Sequence, residues 1–212
     1  MRLFFALPLP DEALDALEAA GRAFAAAAST AERAGAEGAA GVFGRARWSP
    51  RANLHLTLAF LGECDDAGLA AALAAGDEAF GRRPTIRGAH VAAAEPAEAG
   101  SSGGLALRLE GWGAFPRVGA AAVLWAGLAR SPELLATGAH LRAALDRAGL
   151  SYDRSPFKPH LTLARFSKPA SLRGLPPGAV PDLEFRAREA ALYRSVLGGG
   201  PPRYELLGSW GL

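Results

Sequence analysis

The chain has 212 residues, half of them hydrophobic and 21% charged, with a formal net charge of +2. That length can bury a sizeable core, and that balance excludes a disordered chain and a strongly basic protein that coats nucleic acid along its length. Cys64 is the only cysteine, which excludes an internal disulfide and a cysteine-built metal cluster.

Arg2–Leu7 reads as a strand. Pro10 and Asp11 then open a helix whose apolar side carries Leu14, Leu17 and Phe24. The Ala/Gly-rich residues 26–45 read as a loop. Leu54–Leu61 is a strand, and Asp65 or Asp66 caps a second helix reaching Phe80. Strands are expected near 85–92, 104–110 and 122–128. Pro132 sits in the first turn of a third helix, with Leu134, Leu135, Leu141 and Leu145 on one side. Leu161–Phe166 is a strand, 167–181 a Pro/Gly-rich loop, and strands near 183–196 and 203–210 close the chain around the turn LGGGPP. The opening MRLFFALPLPDEAL meets two prolines and the acidic pair Asp11–Glu12 after a short apolar run, so it reads as the first strand of a cytoplasmic protein. The uncharged stretches are too short to span a bilayer.

The tetrad HLTL occurs twice, at His55–Leu58 and at His160–Leu163, in a chain with four histidines. Each copy follows a helix and a connecting loop, which suggests two related α+β lobes. Side chains alternate along a strand, so His55 and Thr57 share one face while Leu54, Leu56 and Leu58 point into a core. His160 and Thr162 repeat the arrangement over Leu161 and Leu163. Facing each other across a cleft, two imidazoles supply a general base and a general acid near neutral pH. The hydroxyls can donate to an anionic oxygen between them. This reads as a phosphoester site without a metal, since neither tetrad brings the third or fourth ligand that zinc requires. His90 and His140 share no such context, and His140 reads as a surface residue.

These residues resemble the 2H phosphoesterases, whose signature is a pair of His-x-Thr-x motifs. The resemblance is closest to the bacterial RNA 2′,3′-cyclic phosphodiesterase group, also called 2′-5′ RNA ligases. It is carried by RLFFAL near the start, NLHLTLAFLGE, VLWAGL, FKPHLTLAR and the closing YRSVL and RYELLGSW. The resemblance implies a single bilobal α+β domain over 1–212, with two pseudo-symmetric lobes of antiparallel sheet plus helices around a central groove. It implies no metal and no cofactor, and RNA ends or tRNA fragments bearing a 2′,3′-cyclic phosphate as partners of a monomeric protein. His55 is expected to protonate the leaving 3′ oxygen and His160 to activate water, with the reverse assignment open. Thr57 and Thr162 complete the motifs. Arg165 follows His160 at an odd spacing, which turns it away unless the strand ends or twists there; it is a candidate for binding phosphate at the strand end, with a solvated arginine as the equal alternative. Arg47 and Trp48 precede the first motif, and Phe5 and Lys158 are further candidates for substrate contact. Tyr193 and Tyr204 read as packing residues. A hydrolase for a small cyclic phosphate or a 2′-5′ oligonucleotide, and a non-catalytic RNA-end binder, are the alternatives.

Overall fold

The structure is a computed structural model that describes residues 1–33, 46–81 and 103–212. Among these residues nine strands form one antiparallel sheet: β1 (Arg2–Pro8), β2 (Ala46–Trp48), β3 (His55–Glu63), β4 (Leu105–Arg117), β5 (Ala120–Leu128), β6 (His160–Ala170), β7 (Glu184–Ala187), β8 (Glu189–Val196) and β9 (Arg203–Gly211). The order across the sheet is β7-β4-β5-β6-β3-β1-β8-β9, with β2 attached to β6 beside this path. The two HLTL strands are therefore central neighbours, each followed outward by three strands of its own half. They share one register pair, Leu56↔Leu161, which sets His55 and Thr57 opposite Thr162 and His160. Beyond that pair the strands diverge, and β2 fills the gap against Ala164–Phe166.

The leucine faces do what alternation demands. Leu54, Leu56, Leu58, Leu161 and Leu163 are all less than a tenth exposed. Burying each is worth about 1.5–3 kcal/mol relative to leaving it in water, so this periodicity pins both motif strands at the centre. A one-residue slip would turn every one of these leucines outward.

Among the described residues three α-helices pack on the sheet: α1 (Asp11–Arg33), α2 (Asp66–Phe80) and α3 (Pro132–Arg147). The Asp65 side chain caps α2 by accepting from the Gly68 amide at 2.7 Å. Ser131 caps α3 through the Leu134 amide at 3.1 Å, with Pro132 in the first turn. Leu134, Leu141 and Leu145 are buried while Leu135 is half-buried, and His140 is exposed as expected. α1 follows β1 and α3 follows β5; β2 lies between α1 and β3, whereas β6 is the next strand after α3, and β1/β3 and β5/β6 are antiparallel neighbours.

Three expectations change, and two segments go untested. The 26–45 stretch is not all loop, because α1 continues to Arg33; alanine is the best helix former, and Ala25–Ala28 extend the helix. Residues 34–45 and the strand expected near 85–92 lie outside the described residues. β6 continues past Phe166 to Ala170, paired through Ala121↔Ala170. The single strand expected over 183–196 is two, split at Arg188: β7 pairs with β4 in one half, and β8 pairs with β1 and β9 in the other.

Candidate active site

The two tetrads line one groove of about 770 Å³ on the open face of the central strands. Its walls include His55, Thr57, His160 and Thr162, together with Arg47, Trp48 and Arg165.

Both imidazoles are oriented in the same way. Nδ1 of His55 lies 2.8 Å from the carbonyl oxygen of Asn53, and Nδ1 of His160 lies 2.7 Å from that of Lys158. A carbonyl can only accept, so each Nδ1 carries a proton and donates it. Each neutral ring therefore presents Nε2 as its acceptor. The Thr57 hydroxyl, 3.1 Å from Nε2 of His55, donates to it. The orienting carbonyl lies two residues upstream of its histidine in both halves. On the first side the carbonyl is itself held, because Asn53 Nδ2 donates to the Pro202 carbonyl at 2.8 Å. Arg51, in the same turn as Asn53, pairs with Asp11, Asp15 and Glu18 of α1.

Burial pushes His55 down from 6.5 to about 4; the Asn53 carbonyl opposes the shift, and the charges of His160 and Arg165 add to it. The cause is visible around the ring, where Phe4 lies 5.0 Å away and Tyr204 meets it edge-on at 5.3 Å. His160 is lowered too, again mainly by burial, with the Lys158 carbonyl opposing and Arg165 adding. Its neighbours are Phe115, edge-on at 5.0 Å, and Trp125 at 6.3 Å.

Arg165 reaches the groove because β6 is not regular. Pairing with β5 passes from Trp125↔Thr162 to Leu124↔Ala164, so Leu163 is an extra residue on β6. The bulge buries Leu163 and Ala164 in succession and turns Arg165 onto the face of His160. β3 repeats the device: pairing with β1 passes from Ala6↔Thr57 to Phe5↔Ala59, Leu58 is extra, and Leu58 and Ala59 are both buried. The residue turned outward there is Phe60, 43% exposed and part of the groove wall. Phe60 was missed by sequence reasoning, although the shared pattern HLTLA-Phe and HLTLA-Arg carried the signal.

Of the other expected contacts, Arg47 lines the groove and sits opposite Arg165 in register. Trp48 is half-buried; it lines the groove and packs against Gly21 of α1, where an added Cβ would stand 3.4 Å from the indole. Phe5 is a correction: it is fully buried and packs at a tilt, 5.6 Å from Trp210, and alternation gives the groove to its neighbour Phe4 instead. Lys158 is not in the groove wall; its backbone orients His160 and its ammonium lies 5.9 Å from the Phe115 ring. Tyr193 packs on Phe4 at 5.5 Å, with its hydroxyl pushed up to about 12 by burial, whereas Tyr204 is also part of the groove wall. No three His, Cys, Asp or Glu side chains converge on a common point among the described residues. None of the described helices is long and apolar enough to cross a membrane.

The chain is similar to several known proteins. An RNA 2′,3′-cyclic phosphodiesterase of Thermus thermophilus is 34% identical over 218 residues, covering 100% of this chain and 90% of the relative. One from Geobacillus stearothermophilus is 29% identical over 171 residues; the match takes in 78% of this chain and 47% of that relative's length. The crystal structure of TT0787, also from Thermus thermophilus, superposes with a TM-score of 0.71 at 30% identity, covering 100% of this chain and 98% of that one. The model of the 2′-5′ RNA ligase superfamily matches residues 25–199, and with both motif strands inside that span the chain belongs to this superfamily.

Proposed function

We propose that this protein hydrolyses the terminal 2′,3′-cyclic phosphate of RNA to a 2′-phosphomonoester, without a metal, by paired histidine catalysis. One observation carries the reading: two imidazoles from identical tetrads share one groove, each locked by a backbone carbonyl so that Nε2 is its reactive atom. The names of the relatives support the substrate class.

The proton moves follow from the geometry. Water attacks phosphorus and gives a proton to Nε2 of His160. The bond from phosphorus to the 3′ oxygen breaks, and His55 protonates that oxygen. His160 ends protonated and His55 neutral, and exchange with solvent resets both. The deeper depression of His55 makes its imidazolium the stronger acid, and the milder shift leaves His160 the stronger base. The substrate's negative charge restores the proton to His55, because an anion beside an imidazole favours its charged form. Thr57, Thr162 and Arg165 hold the non-bridging oxygens. Phe60, Trp48 and Tyr204 offer rings on which a base can stack without its identity being read. A 5′-hydroxyl in place of water would form a 2′-5′ linkage by the same proton moves.

The test is a short oligonucleotide ending in a 2′,3′-cyclic phosphate, incubated with EDTA and followed by ³¹P NMR. Conversion to a 2′-phosphate is expected. A 3′-phosphate product would reverse the leaving oxygen, and loss of turnover on chelation would overturn the metal-free mechanism.

A further inference from the structure

Among the described residues the sheet is symmetric about the β3/β6 seam except for one strand. β3, β1, β8 and β9 on one side answer β6, β5, β4 and β7 on the other, while β2 has no counterpart among those residues. β2 is three residues long, and its pairing sets Arg47 directly opposite Arg165. Like charges opposite each other on neighbouring strands repel. Among the described residues neither of these arginines makes an ion pair, whereas Arg2, Arg51, Arg108, Arg147 and Arg194 each hold a carboxylate. Two unneutralised arginines on backbones one strand spacing of about 5 Å apart make a site for more negative charge than one phosphate brings.

The two are not equivalent. Arg165 lies three residues beyond Thr162 on the motif strand and acts on both imidazoles, so its charge belongs to the reacting phosphate. Arg47 stands on the added strand, exposed and within the groove wall, and is not among the charges that act on the imidazoles. We propose that Arg47 is a specificity-determining residue: its guanidinium binds the phosphodiester linking the reacting terminal nucleotide to the rest of the RNA, so that oligonucleotide ends are preferred over cyclic mononucleotides. The inference rests on the phosphodiesterase reading above and assigns the second anion of that same groove. Arg47 suits the role because its fork can grip two oxygens of a phosphodiester without regard to base sequence.

The experiment compares kcat/KM for a nucleoside 2′,3′-cyclic phosphate, a dinucleotide ending in the same group, and that dinucleotide with a neutral methylphosphonate link. Wild type should favour the charged dinucleotide by about tenfold or more, the scale of one charge-assisted hydrogen bond. The methylphosphonate should lose that advantage. Arg47→Gln should bring the ratio of dinucleotide to mononucleotide toward one, and Arg47→Lys should keep part of it. The proposal is overturned if Arg47→Gln lowers all three substrates by one factor, which would place Arg47 on the reacting phosphate. It is overturned equally if wild type does not discriminate. No turnover of any cyclic phosphate would sink the phosphodiesterase reading itself, and this inference with it.

Discussion

The His55 and His160 halves of the site share a tetrad, an orienting carbonyl and a bulge, yet they differ one step outward. Where one bulge presents Phe60, the other presents Arg165. Where one imidazole is enclosed by Phe4 and Tyr204, the other meets Phe115 and Trp125 and keeps more of its basicity. Repetition therefore builds the shared parts, and the departures make the two flanks unlike. On the proposed mechanism, two equal histidines would take their roles from substrate orientation alone; unlike neighbours add a second source of inequality.

The largest effects should come from the shared parts. His55→Ala or His160→Ala should each lower kcat by about 10²–10⁴-fold, the range for a lost general acid or base. The double variant should lose little more, because the groups act in one step. To break the symmetry, the 3′ oxygen of the cyclic phosphate can be replaced by sulfur, which leaves as a thiolate and needs no proton. That substrate should restore most of the activity of His55→Ala and none of that of His160→Ala. Rescue of the opposite variant would exchange the roles.

Removing the parts that differ comes next. Arg165→Met should cost about 10–10³-fold in kcat/KM, the scale of one lost transition-state donor. Phe60→Ala should cost less, about 5–150-fold from a lost stacking surface of about 1–3 kcal/mol, and mostly through KM. If the Phe60 variant proved as slow in kcat as the Arg165 variant, the division into a charged and an aromatic flank would be wrong.

The residues most legible in the sequence were those whose role is set by alternation alone. Two histidines, two threonines and the leucines beneath them occupy a period of two, and the period puts them on the faces they take. Arg165 and Phe60 lie past a bulge, and a bulge shifts the period by one without a marker such as proline. Alternation counted from His160 therefore sends Arg165 to the wrong face. Phe5 shows the converse limit: within FFAL two apolar neighbours offer no polar contrast to say which faces the groove, and the registry of β1 with β3 decides it. The helix through Arg33 was hidden by low hydrophobic contrast in an alanine run. The β7/β8 division depends on partners far away in sequence, which no local pattern records.

The smallest expected effect is a shift in pH dependence, and its sign discriminates most sharply between the halves. Both histidines titrate below 6.5 in the free protein, His55 near 4. The kcat/KM profile, which reports the free enzyme, should therefore be a bell whose two limbs both fall below pH 6.5, whichever histidine is acid. Activity declines above the upper limb as the last imidazolium loses its proton, and below the lower limb as the base gains one. Arg165 contributes to lowering both imidazoles, so Arg165→Met should move both limbs upward. Phe60→Ala removes no charge and should leave the limbs closer to their wild-type positions. Measuring both profiles on one cyclic phosphate separates Arg165 as an electrostatic partner of the histidines from Arg165 as a mere anchor for substrate. An anchor would change the height of the bell and leave its limbs in place.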